Sequence, residues 1–208
     1  MAESYDDHAD SPMDAARRAA LVSTCVVGGV GAAGVAIPLV STFQPSERAK
    51  AAGAPVEADL AGMAPGELRR VEWRGNPVWL IRRTPAMLES LKQTEPQVLD
   101  PTSEQYYQIP TPEYAKNQAR SIKPEYLVMV GICSHLGCSP SDRFQPGAQP
   151  SLPDDWAGGF ICPCHGSTFD MAGRVFRNKP ANRNLDIPPH TYLSDTRVLI
   201  GADENNKA

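Results

Sequence analysis

The chain is 208 residues long, 41% hydrophobic and 21% charged, the proportions of a globular domain with appendages rather than of a disordered or wholly membrane-embedded protein. Its net charge of −4 supplies no basic field for phosphate backbones, which argues against nucleic acid as a partner and points to a protein or a small molecule. Five cysteines are few for a disulfide scaffold, yet four of them fall between residues 133 and 165 together with two of the four histidines, and that coincidence of scarce residue types marks a site.

Residues 1–18 read as a polar, acidic tail. From Ala19 to Ser46 the chain runs 28 residues without a charge. A helix of that length measures about 42 Å, enough to cross a hydrocarbon core of about 30 Å. We place one transmembrane anchor at 19–43, with Pro38 expected to kink or loosen its distal end. A cleaved signal peptide is the alternative, although the run exceeds the usual apolar region of about 7–15 residues. Arg17 and Arg18 before the span are balanced by Arg48 and Lys50 after it, so charge counting leaves orientation tied. The Arg17-Arg18 pair ahead of a weakly hydrophobic span also resembles a twin-arginine export signal, which suits a protein exported folded. Gly28, Gly31 and Gly34 either admit close helix packing or merely weaken the span's hydrophobicity.

Residues 44–60 lack a sustained apolar face and carry helix breakers, and they read as a flexible tether. The remainder, 61–208, reads as a soluble, mostly β domain. Runs on either side of Gly75-Asn76-Pro77 predict a hairpin turning at that tripeptide. Further strands are expected at Tyr126–Ile132, Gly159–Cys162, Arg174–Phe176 and Arg197–Ile200. Short helices are expected near Met87–Gln93 and Glu113–Arg120, within a Pro- and Gln-rich elaboration spanning 85–123.

Two boxes carry the chemistry: Cys133-Ser134-His135-Leu136-Gly137-Cys138 and Cys162-Pro163-Cys164-His165-Gly166-Ser167. Each offers two thiols and one imidazole, which suit zinc or an iron-sulfur cluster alike. Six ligands would over-supply a tetrahedral zinc ion. Taking C-x-H from the first box and C-x-x-H from the second leaves Cys138 and Cys164 as spare thiols.

The paired boxes, the second continuing Ser167-Thr-Phe169-Asp, resemble those of the quinol-oxidising Rieske iron-sulfur family. The likeness extends to the single amino-terminal span, the tether, Arg120-Ser-Ile-Lys-Pro-Glu125 and the Pro180-Ala181 loop, as in the iron-sulfur subunit of bacterial ubiquinol-cytochrome c reductase. It implies a Rieske fold: an antiparallel β base domain with an inserted cluster-binding subdomain at about 131–183. It implies one 2Fe-2S cluster, with Cys133 and Cys162 on the inner iron, His135 and His165 on the outer, and Cys138 and Cys164 joined as a disulfide.

By the same resemblance His165 accepts the quinol hydrogen bond and its proton, while Ser167 donates to a cluster sulfide and raises the potential. Leu136, Gly137 and the loop containing Pro180 would shape the docking surface. Implied partners are a cytochrome b subunit, a c-type cytochrome subunit and ubiquinol, within a dimeric multisubunit complex. The implied location is the bacterial inner membrane, single-pass, with the cluster domain in the periplasm. Two departures stand out: Phe169 where many relatives carry a tyrosine whose hydroxyl meets the first-box cysteine, and Asn182 where a second proline is common. The segment 139–161 is longer than in mitochondrial relatives. The competing classes are the small subunit of an arsenite oxidase and a free Rieske ferredoxin serving an oxygenase.

Overall fold

The computed structural model describes residues 12–47, 53–105 and 109–203. These belong to two compact units, residues 1–50 and 51–208. The tail residues 1–11 and the tether residues 48–52 lie outside the described residues.

The first unit is helix α1, Pro12–Ser41. It begins earlier than the expected anchor, so Arg17 and Arg18 sit within the helix rather than in a separate tail. Asp14–Ser41 is long and apolar enough to cross a membrane by length and composition. Pro38 does not break it; the helix continues to Ser41. A proline so near the end removes a single backbone bond. The last carbonyls accept from the backbone N–H groups of Thr42, Phe43 and Gln44 and in addition from Ser41 Oγ, donating to Pro38 O at 2.7 Å, and Thr42 Oγ1, donating to Leu39 O at 2.7 Å.

The second unit is built on three antiparallel three-stranded sheets. Strand β1 (Val56–Asp59) pairs with β9 (Arg197–Ile200), which pairs with β8 (His190–Tyr192). The carboxyl end of the segment read as tether is therefore a strand of the domain, with Val56 opposite Ile200. Its two-residue alternation over four residues was too short to stand out. The central sheet comprises β2 (Leu68–Trp73), β3 (Asn76–Arg82) and β4 (Tyr126–Val130). The third comprises β5 (Ser141–Arg143), β6 (Gly159–Ile161) and β7 (Thr168–Phe169).

The β2–β3 turn lies at Arg74-Gly75, φ 52° and 73°, one residue before the expected tripeptide. Positive φ at both central residues is the two-residue hairpin geometry whose twist matches the strands. Pro77 falls inside β3, opposite Glu72.

β4 is buried along its whole length. Strand alternation sends Leu127 and Met129 into a core with Trp79, Cys133, Phe160 and Cys162, and Tyr126, Val128 and Val130 into another with Val78, Val198 and Ile200. One sheet thus serves the base core on one face and the floor of the cysteine boxes on the other.

The 85–123 elaboration contains helix α2 (Pro85–Thr94), started by Pro85 and capped by Thr84, whose Oγ1 accepts from the Met87 N–H at 3.2 Å. The helix expected over Glu113–Arg120 is only a single 3₁₀ turn, Glu113–Ala115. Asn117 intercepts the chain there, its Nδ2 donating to Tyr114 O at 2.8 Å and Ser121 O at 3.0 Å. The strand expected at Arg174–Phe176 is reduced to isolated bridges, Phe169↔Val175 and Val98↔Phe176. The Val175 N–H is occupied by the side chain of Asn184, at 2.9 Å.

Candidate metal centre

The two boxes fold as copies of one loop. The first follows β4 and precedes β5; the second joins β6 to β7. In the first, Cys133 N–H donates to Cys138 O at 2.7 Å and Gly137 N–H to Cys133 O at 3.0 Å. In the second, Cys162 N–H donates to Ser167 O at 2.7 Å and Gly166 N–H to Cys162 O at 3.0 Å. Both glycines have positive φ, 85° and 71°, where a side chain would be strained. The sequence offers this symmetry only as a shared Cys-x-x-x-Gly spacing.

Within this frame Cys133 and Cys162 are buried, His135 is half-buried and His165 is exposed. The two imidazoles meet edge to face with ring centroids 4.8 Å apart. Cys138 and Cys164 are joined, with Cα atoms 6.7 Å apart, so neither is free to ligate as a thiolate. Cys162 Sγ nevertheless lies within 4.8 Å of both disulfide sulfurs. The six candidate donors reduce to two thiols and two imidazoles.

That set fits a metal centre on an observation of its own. His135 Nδ1 is buried and has no hydrogen-bond partner, a costly state for an imidazole nitrogen unless it meets a metal. Burial pushes the Cys133 thiol up to about 11; the His135 backbone N–H pulls it down, neighbouring Cys162 raises it, and the Ser167 hydroxyl lowers it. The two lowering contacts are donors to sulfur, the groups that would stabilise a metal-bound thiolate.

The remaining expected residues divide into a rim and a support. Leu136 is 72% exposed, and Gly137, Pro163 and Pro180 are exposed as well. Ser167 and Phe169 are fully buried, Phe169 in the same core as Cys133 and Cys162. Ser167 Oγ accepts the Ala181 N–H at 2.9 Å, tying the second box to the Pro180 loop. Ser134 does the same for the first box, its Oγ donating to Arg183 O at 2.6 Å.

Sequence reasoning missed the buried charges beneath the boxes. Arg174 Nε meets Asp170 Oδ2 at 2.7 Å with both side chains fully buried, and Thr94 Oγ1 donates to the same carboxylate at 3.1 Å. Arg83 donates to Pro124 O, Ala119 O and Ser121 Oγ. Burial lowers its guanidinium to about 10, against the pull of Asp170. Gly131 was missed too: a Cβ there would lie 2.2 Å from the Trp79 indole, so the approach to the first box admits only glycine without displacement.

A profile of the Rieske [2Fe-2S] domain matches residues 56–189. The ubiquinol-cytochrome c reductase iron-sulfur subunit of Allochromatium vinosum is 55% identical over 190 residues, covering 91% of this chain and 90% of that one. The same-named subunit of Rhodospirillum rubrum is 35% identical over 203 residues, covering 97% of this chain and all of that one. A solved structure, "Hyperthermophilic respiratory Complex III", shares 26% identity with a TM-score of 0.42, covering 85% of this chain and 97% of that one. The chain belongs to the Rieske iron-sulfur family, a 2Fe-2S domain behind an apolar amino-terminal helix, and the relatives that match it nearly end to end are ubiquinol-cytochrome c reductase iron-sulfur subunits.

Proposed function

We propose that this chain is the iron-sulfur subunit of a ubiquinol-cytochrome c reductase, taking an electron from ubiquinol held by a cytochrome b subunit and delivering it to a c-type cytochrome subunit. The observation that carries the reading is the exposed His165, edge to face with His135 at 4.8 Å between ring centroids, on a frame whose two free cysteines, Cys133 and Cys162, are buried. A group held this way is reached by a docked substrate from one side only. Cys133, His135, Cys162 and His165 hold the cluster, and when bound it supplies a one-electron acceptor that can pass the electron onward.

The chain's own residues do the rest. His165 presents its outer ring nitrogen at the surface, where it accepts a hydrogen bond from a quinol hydroxyl and then its proton. Leu136 and Pro180 give the rim an apolar surface that excludes water from that hydrogen bond. The Cys138–Cys164 bridge keeps the two boxes from parting while partners come and go, and such a bridge suits an oxidising compartment. Helix α1 is read as the single-pass anchor in the bacterial inner membrane, with the cluster domain on the periplasmic side, exported through the Arg17-Arg18 signal, in a dimeric complex. The residues between α1 and β1 act as the tether on which the domain moves between its partners.

Purification of the full chain from detergent-solubilised native membranes tests the reading. Haems of b and c type should co-purify, and the preparation should reduce added cytochrome c with ubiquinol as donor. A molybdopterin subunit in place of the haems, or a cluster protein with neither partner, overturns it.

A further inference from the structure

The loop 177–183 carries Pro180 to the exposed rim, and the residues Arg177, Asn178, Lys179, Pro180 and Asn182 face solvent. Within it Ala181 alone is buried, packed in the core that contains Cys133 and Cys162. The loop backbone is also fastened at both ends to one segment, residues 97–103, in the elaboration to which the sequence assigns no role. At the entry, Arg177 N–H donates to Gln97 O at 2.9 Å and Arg177 Nε to Val98 O at 3.0 Å. At the exit, the fully buried Asn184 donates from Nδ2 to Asp100 O at 2.8 Å and Ser103 Oγ at 3.1 Å, while its Oδ1 holds the Val175 N–H.

Ser103 is where the exit is locked. Its hydroxyl, 1% exposed, accepts from Asn184 and also from Arg120 Nε at 2.7 Å. Arg120, wholly buried, in turn donates to Leu185 O at 2.7 Å and to Ala172 O at 3.0 Å, one on each side of the loop. Two donors on one buried hydroxyl oxygen fill both its lone pairs. Such a buried network, two donors converging on one oxygen, restricts the backbone attached to it. Between those ends the loop is tied to the boxes through the Ala181 N–H on Ser167 and Arg183 O on Ser134, and of its ring constraints it has Pro180 but none at Asn182.

We propose that Ser103, acting through Asn184 and Arg120, is a positioning residue for quinol oxidation: the segment 97–103 splints the loop 177–183 and holds Pro180 in register with His165. This rests on the reading of the His165 rim as the quinol-docking face. It supplies a function for part of the 85–123 elaboration, as the stiffener of a loop with one proline.

The test uses the full chain in its membrane complex, with Ser103→Ala and Ser103→Gly. Both remove the hydroxyl, and glycine accepts the φ of 58° at this position without strain. Each variant should keep its cluster and midpoint potential, because no ligand or sulfur donor is touched. Amide hydrogen exchange across 177–183 should quicken by roughly tenfold, the factor for one net hydrogen bond. The quinol KM should rise by roughly threefold or more with kcat less affected. Adding Asn182→Pro stiffens the loop by a separate route and should return KM towards the parent value. Unchanged exchange in cluster-loaded variants overturns the proposal, as does quickened exchange with an unchanged KM, or loss of the cluster from both variants. If the parent complex does not oxidise quinol, the functional reading fails, and the exchange data then show separately whether the splint exists.

Discussion

The sulfur of Cys133 sits between two donors, the backbone N–H of His135 and the hydroxyl of Ser167. The hydroxyl is well placed for both its contacts, since its oxygen accepts the Ala181 N–H and its proton remains for the sulfur. A reduced cluster carries one more negative charge than an oxidised one, so each bond to its sulfurs favours reduction. A charge-assisted bond stronger by about 1.5 kcal/mol in the reduced state corresponds to roughly 60 mV for a one-electron couple. Ser167→Ala should therefore lower the midpoint potential by about that amount in protein-film voltammetry, with the cluster retained. An unchanged potential would mean that the hydroxyl serves only Ala181. Phe169 poses the converse case: its ring is fully buried in the core that contains Cys133 and Cys162. A hydroxyl added there must find a partner or pay for its burial. Phe169→Tyr is expected to raise the potential by some tens of millivolts, on the order of one hydrogen bond. A lowered or static value in a cluster-loaded variant rules out a hydroxyl reaching the Cys133 sulfur.

At the scale of elements, the two box loops are held together from outside the ligand set. The Cys138–Cys164 bridge spans a sequence separation of 26 residues. Closing a loop of that size in the unfolded chain corresponds to about 3 kcal/mol. Cys138→Ser should keep all four ligands yet release the cluster at a clearly lower temperature, followed by the visible absorbance on heating. A variant as thermally robust as the parent would show that the hydrogen bonds of the loops suffice. The boxes were legible in the sequence because two scarce residue types recur there at fixed spacing. Strand β4 was legible because five consecutive apolar residues, Tyr126–Val130, leave few alternatives. Helix α2 was legible in its middle, Met87–Gln93, but its start at Pro85 under the Thr84 cap was not read. Strands β5, β7 and β8 did not, since two or three residues carry no period. The support beneath the boxes was least legible of all. Arg83, Arg120, Arg174 and Asp170 are fully or nearly fully buried, and charged residues read from sequence as surface. Their partners are mostly backbone carbonyls distant in sequence, which no local pattern encodes.

Across the whole molecule, the stability of the domain and the proposed membrane attachment divide between the two units. His190 begins β8 at 1% exposure, its Nδ1 2.9 Å from Pro188 O and its Nε2 without a hydrogen-bond partner. Burial lowers its pKa, opposed by the Pro188 carbonyl and the Asp203 carboxylate. The flanking Tyr114 phenol is pushed up to about 12 by burial, and that of Tyr192 is raised as well, so both stay neutral. A histidine with a depressed folded pKa binds its proton more readily when unfolded. Its contribution is thus fully present above the unfolded value of about 6.5 and is lost as pH falls through and below it, by at most about 1.4 kcal/mol per pH unit. The urea midpoint of the parent should fall between pH 7.5 and 5.0, and in His190→Phe it should fall less. Equal slopes would assign the acid sensitivity elsewhere.

On the proposed reading of α1 as an anchor, the amino-terminal unit faces a different solvent. Along α1, Val22, Val27, Val30, Val35 and Leu39 are each more than half exposed, and none of the span's apolar window is buried. Every such side chain left in water forgoes about 1.5–3 kcal/mol of burial, whereas a bilayer of about 30 Å takes all of them along a helix this long. The domain's own strands begin only at Val56, and all three sheets and both boxes lie beyond that point. A chain truncated to residues 53–208 should therefore be soluble and show the electron paramagnetic resonance signal of the intact 2Fe-2S centre, while the full chain stays with membranes through an alkaline carbonate wash. A full chain released by that wash would refute the anchor. A membrane form whose first residue lies within α1 would instead identify the helix as a cleaved leader, and a truncated domain without its centre would mean that the amino-terminal unit is needed to fold or load the carboxyl-terminal one.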